Sequence, residues 1–314
     1  MFVEMNRRAF LRMSAAATAA TLTASRLLQA QLPDRVLQAR EAALKTPIKT
    51  TKLYDNVFLL QGAGGNIALQ TGPDGHVLVD SGFSTAVPAL LAAAKSAGPG
   101  APKTLINTHW HYDHTDGNEN LHTAGYTITA QTNTLKRMST PQDIKAFGLH
   151  FPPSPMAALP TITFDTTKSI SQNGDAIALV HFDPAHTDTD IYIHFQKANV
   201  LHCGDTFFNG FYPFIDESTG GSIGGMIRAN EKALALATTD TKIIPGHGPL
   251  GTKAELQSFH DMLSGVRDKV AALKSTRASE QEVIAKKPTA QWDAVWAKGM
   301  IGPDVFVGIV YRTV

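Results

Sequence analysis

Thr108-His109-Trp110-His111-Tyr112-Asp113-His114 places three histidines and one aspartate within six residues. The apolar run Thr104 to Asn107 leads straight into it and reads as a short buried strand. In a loop that follows a strand, His109 and His111 can point the same way, while Asp113 and His114 can turn toward a second point close by. Imidazole and carboxylate are both good ligands for zinc, and their mixture suits a catalytic site that keeps one position open. A histidine-rich tract can also be a solvated surface loop, but His-x-His-x-Asp-His directly after a buried strand is a specific arrangement.

Three further residues repeat this context. His186 lies in Asp183-Pro184-Ala185-His186, Asp205 in His202-Cys203-Gly204-Asp205, and His247 in Ile244-Pro245-Gly246-His247-Gly248. Each follows a strand-like run and sits at a turn rich in glycine or proline. Ligands at the ends of different strands converge on one edge of a sandwich. Taken singly each would read as structural; their order and contexts make the set.

The segments around them support a mixed fold. Val57 to Leu60, Asn66 to Gln70 and His76 to Val79 are short apolar runs separated by turn clusters, as in an antiparallel meander. Tyr126 to Ala130, Ile177 to Phe182, Ile191 to Phe195 and Val200 to Cys203 are strand-like, and Ile191, Ile193 and Phe195 keep a period of two. Ala86 to Ala97, Ile227 to Ala237 and Ala254 to Leu273 read as helices. The pattern is two β-rich halves with helices between and outside. Residues 31–52 form a lead-in with a short helix, 53–314 form the catalytic domain, and Val305 to Tyr311 fits either a helix or a strand.

On these residues the chain resembles the metallo-β-lactamase superfamily over most of residues 53–262. The resemblance implies an αβ/βα four-layer sandwich. It implies two zinc ions per chain, the first held by His109, His111 and His186, the second by Asp113, His114 and His247, with Asp205 bridging both. Asp80, at the end of an early strand, would hold a ligand histidine or its loop. The lactamases proper do not normally carry an aspartate at the place of Asp205, whereas esterolytic relatives do. The implied activity is therefore hydrolysis of an ester, lactone, thioester or related bond in a small-molecule substrate by a metal-bridging hydroxide. Asp113 would orient that hydroxide and shuttle a proton. A β-lactamase and an iron-dependent sulfur dioxygenase of the same fold are the alternatives.

Trp110 and Tyr112, between the ligands, and Phe207, Phe208 and Tyr212, after Asp205, are expected to line the substrate pocket. Cys203 reads as a small buried residue. His76, His122, His150, His181, His194, His202 and His260 have no evident partner and read as structural.

The first thirty residues read as an address. Asn6-Arg7-Arg8-Ala9-Phe10-Leu11 precedes a mildly apolar run from Ser14 to Ala24, and resembles a twin-arginine signal. Export by the twin-arginine translocase to the periplasm or medium is expected, with no stable membrane anchor, because the apolar run is far shorter than the roughly 20 residues of a span. Those residues hold four arginines against Glu4, a net of +3 in a chain of net +1, so the remainder carries −2. A mildly acidic body offers no footprint for nucleic acid. One cysteine excludes an intrachain disulfide.

Overall fold

The computed structural model describes residues 33–314; the signal read over residues 1–30 lies outside them. Two sheets pack face to face. The first has seven strands in the order β1 (Lys49–Lys52), β2 (Val57–Gln61), β3 (Ile67–Gln70), β4 (His76–Val79), β5 (Pro102–Ile106), β6 (Thr127–Gln131) and β9 (Ile162–Phe164). The second has five, β10 (Thr167–Gln172), β11 (Asp175–His181), β12 (Ile191–Phe195), β13 (Val200–Phe208) and β14 (Lys242–His247). A small hairpin, β7 (Gln142–Ile144) with β8 (Leu149–Phe151), stands apart from both. β1 to β4 form the expected antiparallel meander. β4, β5, β6 and β9 are parallel, as are β13 and β14.

Alternation along each strand sorts its side chains into layers. Leu59, Val77, Val79 and Ile106 of one sheet meet Ile177, Ile191, Ile193, Phe195 and Val200 of the other in the central layer. The intervening Phe58, Leu60, Leu78 and Leu105 face the opposite way, against Val87, Leu90 and Ala94 of helix α2 (Val87–Ala97). On the far side, Tyr192, Leu201 and Cys203 face α3 (Ile223–Leu236) and α4 (Lys253–Ser275), where Met226, Ala229, Phe259 and Met262 are buried. This is the αβ/βα four-layer sandwich. His202, on the inner face of β13, ties the sheets together: its Nε2 meets the carbonyl of Asn66 at 3.0 Å and its Nδ1 accepts from Gly204 N at 3.1 Å.

Helix starts follow local chemistry. Ser222 caps α3 by accepting from Gly225 N, and Thr252 with Glu255 forms a reciprocal capping box on α4. The helix α1 (Asp34–Lys45) precedes the sheets, with Val36 and Ala43 on its buried face. The ambiguous C-terminal run is helical: α5 (Pro303–Thr313) starts at Pro303 and buries Phe306, Val307, Ile309 and Val310 against the same layer as α4. Among the described residues no helix is long and apolar enough to cross a membrane.

Candidate metal centre

The turn after β5 carries His109 and His111. The single helical turn Tyr112–Thr115 that follows carries Asp113 and His114. His186 lies between β11 and β12, Asp205 within β13, and His247 at the last residue of β14. β5 and β14 end here as parallel strands, a common place for a site in such sheets, and His186 joins them from the antiparallel β11–β12 pair. β13 reaches the site because its pairing with β14 shifts register at Gly204, which has φ of 51°. A Cβ there would also press to 2.9 Å from Thr108 Cβ. Gly246 is needed for another reason: a Cβ at that position would overlap Asp205 Oδ1.

The seven predicted residues come together in two groups. His109, His111, His186 and Asp205 form one, and Asp113, His114 and His247 the other; within each group the ligand atoms lie within 4.8 Å of one another. Asp205 stands between them. Its Oδ2 is 3.5 Å from His186 Nε2 and 3.4 Å from His247 Nε2, while Oδ1 is 3.1 Å from His114 Nε2. Asp113 Oδ2 lies 3.2 Å from His247 Nε2.

Hydrogen bonds decide which way each ring offers its lone pair. The Phe214 carbonyl can only accept, so His186 donates to it through Nδ1 at 2.8 Å and keeps a lone pair on Nε2. His111 Nε2 donates to Asp216 Oδ2 at 3.0 Å, which leaves the lone pair on Nδ1. Those two lone pairs then face each other at 2.8 Å. His114 donates through Nδ1 to Asp80 Oδ2 at 2.8 Å. The Thr108 hydroxyl donates to Asp80 at 2.8 Å and accepts from His109 Nδ1 at 2.9 Å, which turns His109 Nε2 inward. His109 Nε2 and Asp205 Oδ1 are buried without a hydrogen-bond partner. Converging lone pairs and orphaned acceptors repel one another unless a cation lies among them, so the donor set fits metal ions.

The electrostatics agree. Burial lowers His109 well below the ordinary histidine range and brings His186 down to about 4, which keeps both neutral and ready to ligate. In the other group burial works against charge, but Asp205 and Asp113 overcome it and raise His247 to about 10. Against its own burial, Asp113 is held down to about 2 by His114 and His247. This half of the site carries negative charge that demands a positive partner.

Asp80 occupies the supporting place expected for it, accepting from Thr108 N at 2.8 Å as well as from Thr108 Oγ1 and His114. Its φ of 67° is a left-handed conformation that aspartate tolerates. Two supports were not legible in the sequence. Asp216 orients His111, and its other oxygen accepts from Ser218 N at 3.0 Å. Asp190 holds the His186 loop by accepting from His186 N at 2.7 Å and Thr187 N at 2.9 Å. An aspartate followed by Ser218 and Thr219 signals a turn, but nothing local points to a histidine 105 positions away.

A cavity of about 280 Å³ opens over the two groups, lined by Tyr112, Asp113, Phe208 and Tyr212 among others. Ile144, Phe147 and Leu149 from the small hairpin, Phe211 and Phe214, and Met300 and Ile301 from near the C-terminus complete its walls. Two aromatic expectations are corrected. Phe207 is fully buried with its ring against Phe259, because alternation along β13 turns it away from the cavity. Trp110 lines a neighbouring cleft with Arg40, Asp116 and Phe151, its ring 4.6 Å from that of His111. Cys203 faces the helical layer, and burial pushes its thiol up, as suits an inert core residue.

The model of the metallo-beta-lactamase superfamily matches residues 60–248. The chain belongs to this superfamily. No curated protein sequence matches it. Among solved structures it is similar to the stereoselective inverting sec-alkylsulfatase from a Pseudomonas species, with a TM-score of 0.63 and 14% identity, over 84% of this chain and 50% of that one. It spans about half the length of that alkylsulfatase. It is also similar to a metallo-beta-lactamase from Pontibacter korlensis, with a TM-score of 0.56 and 17% identity, over 69% of this chain and 99% of that one. The DIM-1 metallo-beta-lactamase matches with a TM-score of 0.54 and 18% identity, over 69% of this chain and 97% of that one. At these identities the structures share the fold. The chain thus joins this superfamily's fold to a histidine and aspartate cluster able to hold metal.

Proposed function

We propose that this superfamily member is a dinuclear zinc hydrolase of an ester, lactone, thioester or related bond. The observation that carries the reading is Asp205, whose two oxygens face the two ligand groups at 3.5 and 3.1 Å. A carboxylate in that place adds negative charge between two cations and holds them as a pair. Bound in these groups, zinc supplies Lewis acidity and makes water a nucleophile near neutral pH. His109, His111 and His186 would hold one ion, and Asp113, His114 and His247 the other. Asp113 is the more open carboxylate, with its side chain 20% exposed against 5% for Asp205. It orients the attacking water and passes a proton to the leaving group. The aromatic wall excludes bulk water from the reacting carbonyl.

Elemental analysis of the purified protein is expected to show about two zinc ions per chain. A screen of an aryl ester, a lactone, a thioester and a cephalosporin is expected to show turnover of the first classes. A single iron with oxygen-dependent activity would overturn the reading, and turnover of the cephalosporin alone would replace it with the lactamase one.

Arg7-Arg8 ahead of Phe10-Leu11 supports export by the twin-arginine translocase, with the domain over residues 53–314 working in the periplasm or medium. Changing both arginines to lysine should leave the precursor in the cytoplasm. Unchanged export of that variant, followed by cell fractionation, would refute the route.

A further inference from the structure

Helix α1 supplies no ligand to either metal group, yet it forms part of the cavity. It is fastened to the loop just after His114. Arg40 Nε and Nη2 donate to the two oxygens of Asp116 at 2.9 and 2.5 Å, and Asp116 Oδ2 also accepts from Ser84 N at 2.8 Å. The Arg40 carbonyl accepts from the Thr85 hydroxyl. Val36 is fully buried in the cluster that contains Trp110 and Phe151. A bidentate pair at one end and a buried valine at the other set the rotation of the helix.

That rotation puts Arg35, one residue before Val36, on the wall of the cavity that Tyr112 and Met300 also line. Apart from the ligand histidines it is the one cationic residue among those lining the cavity, and the remaining wall is dominated by phenylalanine and aliphatic side chains. The carboxylates in the cavity, Asp113 and Asp205, belong to the metal groups and lie 3.1 to 3.5 Å from His114, His186 and His247. A guanidinium on the wall of an apolar cavity suits an oxyanion, because its planar fork matches a carboxylate or sulfate in two-point contact.

We infer that Arg35 anchors the anionic group of an amphiphilic substrate, whose apolar segment lies along the phenylalanine wall and whose scissile bond faces Asp113 and Asp205. This rests on the hydrolase reading above for the position of the scissile bond, but not for the binding. The substrate class is an ester or related compound that bears a carboxylate or sulfate beyond an apolar chain. Arg35 acts as a specificity residue: it selects by charge and takes no part in bond breaking.

The test has two arms. The first compares the p-nitrophenyl monoester of adipic acid with its methyl ester in the wild type, Arg35→Gln and Arg35→Lys. Wild type should favour the acid. The ratio of kcat/KM for acid over methyl ester should fall at least about tenfold in Arg35→Gln, mainly through KM, and recover in part in Arg35→Lys. The second arm needs no turnover: calorimetry measures binding of decanoate and of decyl sulfate to the same proteins. Weaker binding in Arg35→Gln by about tenfold or more supports the inference, and the more affected anion identifies the group recognised. If neither ester is hydrolysed while anion binding still depends on Arg35, the inference stands and the hydrolase reading falls. If the substrate ratio and both anion affinities are unchanged in Arg35→Gln, the inference is overturned.

Discussion

Asp205 reaches histidines of both ligand groups. Its Oδ2 lies 3.5 Å from His186, 3.4 Å from His247 and 4.0 Å from His109, and its Oδ1 lies 3.1 Å from His114. Replacing it by serine removes charge from between the two ligand groups but leaves His109, His111 and His186 with their supports intact. The expected result for Asp205→Ser is a fold that survives, a second zinc bound at least about 10–100-fold more weakly, and loss of most ester or lactone hydrolysis. Zinc titration beside kinetics on the best screened substrate checks this. Retention of both ions at wild-type affinity with full activity would show that Asp205 does not bridge them. The residues one step out have a different task. Asp80, Asp216 and the Phe214 carbonyl each fix one ring, so the lone pairs of His114, His111 and His186 are aimed before any ion arrives.

At the scale of elements, the site depends on where segments end and how they are fastened. Strand β13 continues past Gly204 to Phe208 because a left-handed residue absorbs the register shift. The same bend places Asp205 at the site and leaves Phe207 in the core. Helix α1 is short, and its hold on the domain is concentrated in Arg40 and Val36. The Arg40–Asp116 pair is shielded, with side chains 15% and 9% exposed. Arg40→Ala leaves Asp116 without its bidentate donor and should lower stability by about 1.5–3 kcal/mol, the range for hydrogen bonds to charged groups. Urea unfolding measures that figure, and hydrogen exchange should show the amides of residues 34–45 opening ahead of the sheets. Equal protection of α1 in variant and wild type would mean that Val36, Ala43 and the Thr85 bond to the Arg40 carbonyl hold the helix without the ion pair.

For the molecule as a whole, three apolar layers carry the fold, and the metal groups sit at one edge of the central sandwich. Removing the ions leaves the layers intact but exposes converging lone pairs and two carboxylates to one another. A ligand at a thousand times its dissociation constant stabilises the native state by about 4 kcal/mol. In a domain of this size that corresponds to a melting temperature higher by on the order of 10 °C. Chelation should therefore lower the melting temperature by about that much while leaving the far-ultraviolet dichroism of the folded protein unchanged, and added zinc should restore it. The histidines must be unprotonated to ligate, and Asp205 and Asp113 raise His247 to about 10, so protons compete for the site below that pH and the difference between loaded and chelated protein should shrink steadily as pH falls. A melting temperature indifferent to chelator would show that the groups hold no ion in the purified protein.

The seven residues of the candidate metal centre were legible as a cluster because each stands in a local signature: a histidine or aspartate at the end of an apolar run, followed by a turn. The meander, the four-layer class and the alternation in β12 were legible for the same reason, since period-two burial is written along a single strand. What was not legible has partners far apart in the chain. Asp216 meets His111 across 105 positions, and Arg40 meets Asp116 across 76. The cavity wall gathers Arg35, Phe147, Phe211 and Met300 from four separate segments. None of these bears a mark of its function, because a turn aspartate or a helix arginine has the same local pattern whatever it faces. Phe207 and Trp110 show the converse: proximity in sequence to a ligand suggested the pocket, and the facing of the strand and of the turn sent both rings elsewhere. Residue identity and local periodicity settled which chemistry this chain can carry. Only the packing of distant segments decided which side chains orient the ligands and what kind of molecule the cavity can admit.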